Sequence, residues 1–520
     1  MNLSPIDIAV IVLYAVSLFA IAQIVSREKL GHQKNTQDYF LASKSLPWWA
    51  VGASLIAANI SAEQIIGMSG SGFAIGLAIA SYEWMSAITI IIVGKYFLPV
   101  FLKHGIFTMP QFLEKRYDHR VRTIMAVFWL GVYVFVNLTA ILWLGALAIN
   151  TVTGLSLTTG LIGLGVFAGG YSIYGGLKAV ALTDIIQVVL LVLGGLFIAY
   201  ITLDTISGGL GPISGFMLLM EQAPDKFDMI LSKDSPHFAS LPGISVLVGG
   251  MWVMNLSYWG FNQYIIQRAL AAKNIREAQK GIVFAAFLKI LMPLIVVLPG
   301  IAAVILAPDL ASPDQAYPEM MKLMPVGLLG LVFAALLAAI VSSLGSMVNS
   351  ISTIFTLDLY SFYRKGRSEE QLVRVGRITS IIALILAMIS ARPLLGNFDQ
   401  AFQYIQEFTG FFTPGIVVVF LLGLFWPKAS TAGALAAAIG SAVFSIALKI
   451  FWPSLPFMDR VGLVFVICLA AAVIISLMQK NQEQSHGIST EGIDFSTTKS
   501  FNYSALAVVV ILCGLYAVWW

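Results

Sequence analysis

Polar and ionisable side chains stand inside long apolar runs of this sequence, where water is not available to solvate them. Glu63 and Gln64 follow Asn59-Ile60-Ser61. Glu83 lies in Ser81-Tyr82-Glu83-Trp84-Met85-Ser86, Asp184 in Thr183-Asp184-Ile185-Ile186-Gln187, and Lys289 in Phe287-Leu288-Lys289-Ile290. A charge at membrane depth is costly and defaults to a functional hypothesis. Two readings of Glu83 and Lys289 stay open: an ion pair that holds helices together, or a pair that faces a polyhydroxylated solute. Each sugar hydroxyl donates and accepts, so a ring of Glu, Gln, Asn and Lys around an apolar face suits such a solute. Tyr258 and Trp259, just after Asn255-Leu256-Ser257, offer that face. Gln406 adds a further amide, and Pro414 predicts a kink beyond it. Asp184 sits near one end of its run, where snorkelling to water competes with a functional role.

A second chemistry is hard-cation binding. Ser342 and Ser343 are adjacent hydroxyls in the run Ala338-Ala339-Ile340-Val341-Ser342-Ser343. Sodium takes neutral oxygens of this kind; the competing reading is that both hydroxyls bond to carbonyls one turn back. Asn59-Ile60-Ser61 competes with helical hydrogen bonds in the same way. An interrupted helix frees carbonyls, and a bound cation is one natural partner for them. A helix–helix contact built from small and polar residues is the alternative.

The elements that must position these groups follow from composition. The chain has 520 residues, 58% hydrophobic and 11% charged. A soluble protein carries about 25% charged residues, so lipid has to be the solvent. Only helices or closed barrels satisfy their backbones there. The apolar runs are continuous, not alternating, and read as helices. They centre near residues 15, 60, 88, 135, 166, 190, 256, 292, 343, 382, 412, 440, 470 and 510, predicting an all-α polytopic membrane protein with about fourteen spans. Basic loops around Arg27–Lys44, Lys103–Arg122, Arg268–Lys280 and Arg364–Arg377 fall on one side of that count, which puts both termini outside. The first run, about residues 6–25, has no basic leader and reads as a retained span.

Ser45-Leu46-Pro47 precedes Asn59-Ile60-Ser61 much as Ser240-Leu241-Pro242 precedes Asn255-Leu256-Ser257. Five spans start at each, at residues 46–205 and 242–426. An odd-numbered unit repeated in tandem inserts with inverted topology, and paired interruptions point to a midplane site. The remaining segments are an N-terminal helix and loop (1–45), an external loop (206–241) and three C-terminal accessory helices (427–520).

Enzymatic signatures are missing from the sequence: it carries neither a phosphate-binding Gly-rich loop nor a HExxH pair, and no soluble domain. Energy would come from an ion gradient. The net charge of +4 comes from short loops and gives no reason to expect nucleic acid. Cys468 and Cys513 lie inside apolar runs and suggest neither a disulfide nor a metal site. A receptor built on such a scaffold would want a signalling domain, where this chain has the linker 479–500. An asymmetric polar cluster disfavours a channel, and no obligatory protein partner is evident.

The residues resemble the sodium/solute symporter family, in particular its bacterial sodium/galactose members and the sodium/glucose cotransporters. The likeness rests on Leu46-Pro47-Trp48-Trp49-Ala50-Val51-Gly52, Ala57 to Gln64, Tyr82-Glu83-Trp84, Tyr171 to Gly176, Tyr258 to Tyr264, Ala339 to Ser343 and Tyr404 to Glu407. Leu182 departs from the Trp often found before the Thr-Asp pair. The resemblance implies two inverted five-helix repeats with a broken first helix in each, and alternating-access sodium-coupled uptake of a hexose. The same scaffold with another solute, such as sialic acid, proline or a nucleoside, is the alternative. It implies a sodium site from carbonyls of Ala57, Ile60 and Ala339 with hydroxyls of Ser342 and Ser343. It implies sugar contacts from Gln64, Glu83, Ser86, Asn255, Tyr258, Lys289 and Gln406. Tyr258 would be the inner gate, steadied by Asn59 and flanked by Trp259, and Asp184 would help sodium leave. The implied location is a bacterial inner membrane.

Overall fold

A computed structural model describes residues 3–26, 46–106, 108–174, 177–396, 398, 400–479, 488 and 490–520; side chains at 18–19, 21–26, 171–174, 177–184 and 369 are not described. Asp184, Leu182 and Tyr171 to Gly176 thus lie outside the described side chains. Among the described residues the fold is helical, with one isolated bridge between Leu46 and Ala272. Nine helices there are long and apolar enough to cross a membrane, and two bent pairs bring the number to eleven. Of the other expected spans, Pro5–Ser17 and Leu157–Gly170 are shorter apolar helices, and the one around residue 256 is broken into short pieces.

Burial divides the helices. His119–Thr153 and Leu328–Tyr363 are 83% and 78% buried over their apolar windows, whereas Glu370–Leu395 and Lys499–Val518 are 22% and 17% buried. The first pair forms the centre. The second pair presents Val373, Ile389, Leu506 and Val510 outward, which only a lipid environment makes favourable.

The first break is where the sequence predicts it. Trp48–Asn59 ends at Ile60, whose ψ of 91° is extended. Ser61 restarts the chain: its hydroxyl accepts from Glu63 N–H at 3.2 Å, and its carbonyl from Gln64 and Ile65 N–H. A π-helical turn, Glu63–Gly67, leads into Met68–Ala74, at 65° to the first half.

The second break is not at Asn255-Leu256-Ser257. There the chain is helical, Gly250–Leu256 running on into a π-helical turn, Ser257–Phe261. Asn255 bonds to Met251 O one turn back and stays in the helix. The chain opens instead at Asn262, with ψ 120°, before Gln263–Leu270, and again at Gly249. Tertiary contacts move the break. The Tyr133 hydroxyl donates to Asn262 Oδ1 at 2.7 Å, and a Cβ on Gly250 would lie 2.1 Å from Met458 O.

Ala401–Thr409 and Thr413–Phe425 meet at 48°, with Pro414 in the first turn of the second piece, as its missing N–H favours. The helix carrying Lys289, Ile275–Leu306, packs along both halves of the first broken span. Glycines bring the backbones together: a Cβ at Gly52 would meet Gly281 O at 2.6 Å, and one at Gly300 would meet Ser69 O at 2.1 Å. Lys289 lies between these two contacts. The helix carrying Ser342 and Ser343, Leu328–Thr353, is pinned at its start by the N-terminal helix. Asp7 Oδ1 accepts from Gly327 and Gly330 N–H at 2.7 and 2.9 Å, satisfying donors that a helix start leaves open.

Candidate functional site

Side chains from six elements meet at the first break. Lys289 Nζ donates to Glu83 Oε2 at 2.7 Å and to Asn59 Oδ1. Gln64 Nε2 donates to the other carboxylate oxygen, Glu83 Oε1. Asn59 Nδ2 donates to the Tyr258 hydroxyl at 3.1 Å, and Tyr264 donates to the same hydroxyl at 3.1 Å. Asn59, Gln64, Glu83 and Lys289 are all buried. Lys289 Nζ also lies 4.9 Å from the centre of the Trp259 ring, a cation–π contact. Desolvated charges persist only when paired and hydrogen-bonded, and here each carboxylate oxygen and the ammonium has a partner. Trp259 therefore faces the cation of the cluster, a role its neighbourhood in sequence did not announce.

Tyr258 borders both this cluster and a cavity of about 60 Å³ shared with Glu63, Tyr133, Asn137, Asn262 and Gln406. At ~10–15 Å³ per water, the cavity admits a few waters and no ring-sized solute. Gln406 faces this cavity and not the Lys289 cluster. The Ser86 hydroxyl and the Asn255 amide donate to carbonyls of their own helices, Glu83 O and Met251 O, and not to the side chains of the cluster.

The cation candidates lie on two elements that pack together, the first broken span and the Leu328–Thr353 helix. Ala57 lies in the last turn of Trp48–Asn59, so its carbonyl has no intrahelical partner; Ile60, beyond the end, has none either. Ala339, Ser342 and Ser343 are buried on the facing helix. The Ser343 hydroxyl is buried and makes no hydrogen bond. Bonding one turn back was the competing reading, and Ser343 does not do it. A buried hydroxyl with no hydrogen-bond partner, on a helix that packs against the end of a broken one, offers an oxygen of the kind a hard cation takes.

Several residues here were not singled out in the sequence. Arg268, counted there with a basic loop, is 1% exposed on the helix Gln263–Leu270. It donates to Ser54 Oγ at 3.1 Å and Ser346 Oγ at 3.3 Å. These serines lie three residues before Ala57 and three after Ser343, so Arg268 ties together the two helices that carry the cation candidates. Asn137 donates to Glu63 Oε1 at 3.3 Å; an amide inside the run Val134–Leu144 was its available signal. Tyr133 and Tyr264 gave none.

Spanning helices interrupted around a buried, self-bonded polar cluster are the architecture of a secondary transporter. The comparisons agree. The family model described as the sodium:solute symporter family matches residues 39–440, and the chain belongs to that family. It is a multi-pass membrane protein and a sodium-coupled symporter. It is 52% identical to a sodium/glucose cotransporter of Vibrio parahaemolyticus over 100% of this chain and 99% of that one. It is 34% identical to the human sodium/myo-inositol cotransporter 2 over 83% of this chain and 68% of that protein. Among solved structures, the outward-open, substrate-bound sodium-coupled sialic acid symporter superposes with a TM-score of 0.78 at 24% identity, over 92% of this chain and 99% of that one. The nucleobase-cation-symport-1 transporter Mhp1 superposes at 0.56 and 12% identity, over 91% and 99%. These two structures speak to the fold alone.

Proposed function

We propose that the chain takes up a hexose of the galactose/glucose type together with one sodium ion, by alternating access between two inverted five-helix units at 46–205 and 242–426. The observation that carries this reading is the position of Asn59. Its amide accepts from Lys289 and donates to Tyr258, while its backbone lies between the Ala57 and Ile60 carbonyls. One residue thereby joins the sugar cluster, the gate and the sodium site.

In this reading sodium bridges the carbonyls of Ala57, Ile60 and Ala339 and the hydroxyls of Ser342 and Ser343, fixing the end of the broken helix. The sugar's hydroxyls then replace bonds the cluster makes with itself: one takes the place of Gln64 on Glu83, another that of Asn59 on Lys289. Freed from Lys289, Asn59 no longer holds Tyr258, and the ring can move aside. Ser86, Asn255 and Gln406 enter as sugar contacts only after that rearrangement, and Asp184 serves sodium release. The termini are external, following the distribution of basic loops, and the membrane is a bacterial inner membrane, a reading supported by the likeness to a Vibrio cotransporter. One charge crossing 100 mV supplies roughly 2.3 kcal/mol, and a tenfold sodium gradient about 1.4 kcal/mol more. Together they support very roughly a few-hundredfold accumulation.

Purified protein in liposomes tests the reading. An inward sodium gradient is expected to drive uptake of labelled galactose or glucose and to generate inward current; sodium-driven uptake of sialic acid or proline, with none of either hexose, would refute the substrate assignment. Tyr258→Phe is a finer test. It removes two hydrogen bonds worth about 1–2 kcal/mol together, so exit of preloaded sugar should quicken about five- to thirtyfold. An unchanged exit rate removes the hydroxyl from the gate.

A further inference from the structure

We propose that a cleft between the Ile275–Leu306 and Lys499–Val518 helices binds the headgroup of an anionic phospholipid. The cleft holds about 300 Å³ and is lined by Trp48, Arg276, Lys280, Val283, Phe501 and Ser504, among others, with two basic side chains and no acidic one among the described residues. It lies at one end of the bundle. There Leu46 N–H bonds to Ala271 O and Lys273 N–H to Leu46 O, and Lys103 Nζ donates to Glu491 O at 2.7 Å. Lys103, Lys273, Arg276 and Lys280 thus gather at the same end. The acidic neighbour is Glu277: it accepts from Trp48 N–H at 2.8 Å and is 3.6 Å from Lys280. At that separation and exposure it leaves both cations available.

The shape fits a lipid better than a free ion. Arg276 and Lys280 begin a stripe on the Ile275–Leu306 helix that continues at the seven-residue spacing through Phe287 and Leu294, which are 38% and 42% exposed. Leu506 and Val510 extend the wall of the other helix, at 61% and 60% exposure. Cations at the rim and apolar side chains above them match an anionic headgroup with its acyl chains. Trp48 is 39% exposed and packs edge-on against Phe284 at 5.7 Å, as an aromatic ring at a membrane interface does. Basic pockets between spanning helices have this use. Trp48 is the first residue of the first broken span, so the lipid would sit against the foot of the moving helix.

The test is native mass spectrometry of the detergent-purified protein titrated with phosphatidylglycerol or phosphatidylethanolamine. Each basic residue near a charged lipid is worth about fivefold in affinity. The parent should retain phosphatidylglycerol over phosphatidylethanolamine by roughly tenfold or more, and Arg276→Gln/Lys280→Gln should bring the ratio near one. The charge-preserving pair Arg276→Lys/Lys280→Arg should keep the preference, which separates lost charge from lost structure. An equal preference in the parent and the glutamine pair overturns the proposal. So does full displacement of the lipid by inorganic phosphate alone, which would mark a free-phosphate site.

Discussion

Lys289→Ala is expected to reduce sodium-driven uptake by roughly a hundredfold or more and to lower folding stability by about 3–5 kcal/mol. The geometry sets both effects. Lys289 is 1% exposed and Glu83 2%, and the ammonium is the cation that neutralises that carboxylate. Deleting it leaves a buried charge with only Gln64 as donor. It also frees Asn59 from one of its two partners and removes the cation from the Trp259 ring. A bridge that merely holds helices behaves differently from one that binds substrate, and a double variant tells them apart. Glu83→Gln/Lys289→Met replaces the pair by neutral groups of similar size, so most of the stability should return. Transport should not, because sugar hydroxyls would have lost both charged partners. Thermal transitions in detergent and uptake in liposomes measure the two effects, and a double variant that transports like the parent would reduce the pair to scaffolding.

Ser343→Ala is expected to raise the sodium concentration for half-maximal uptake by about ten- to a hundredfold, the 1.5–3 kcal/mol of one oxygen contact to a charge. Its effect on stability should have the opposite sense. The Ser343 hydroxyl is buried without a hydrogen-bond partner, so in sodium-free buffer its removal deletes an unsatisfied polar atom and should leave the protein as stable or slightly more so. In the parent, sodium should raise the thermal midpoint, since a ligand that binds only the folded state stabilises it. In the variant that rise should shrink. The outcome against the assignment is a variant with lower stability in sodium-free buffer and an unshifted sodium dependence, which would make Ser343 a packing residue.

Much of this was readable along the chain, for one physical reason. Hydrocarbon penalises polarity so strongly that Glu83, Lys289, Asn59 and the Ser342-Ser343 pair stand out residue by residue, without knowledge of their neighbours. The break at Asn59 was readable in part on local ground, because the Ser61 hydroxyl takes the Glu63 N–H, whereas the Asn59 amide turns to Lys289 and Tyr258 and the same Asn-x-Ser pattern at Asn255 stays helical. Helical class and membrane residence follow from composition alone.

Other features depend on residues far apart in sequence, and only the folded chain decides them. Glu83 and Lys289 are 206 residues apart and meet only because the helices Ser81–Ile92 and Ile275–Leu306 pack together, while Gly52, Gly281 and Gly300 bring the first broken span, with Asn59, against the Lys289 helix. The second break lies not at Asn255 but at Asn262, where Tyr133, on another helix, holds the Asn262 side chain in place. Arg268 passes for a loop charge until Ser54 and Ser346 close around it. Sequence determined which groups must be satisfied in lipid. Tertiary packing decided which partners satisfy them, because a hydrogen bond is fixed by distance and angle in space and not by separation along the chain.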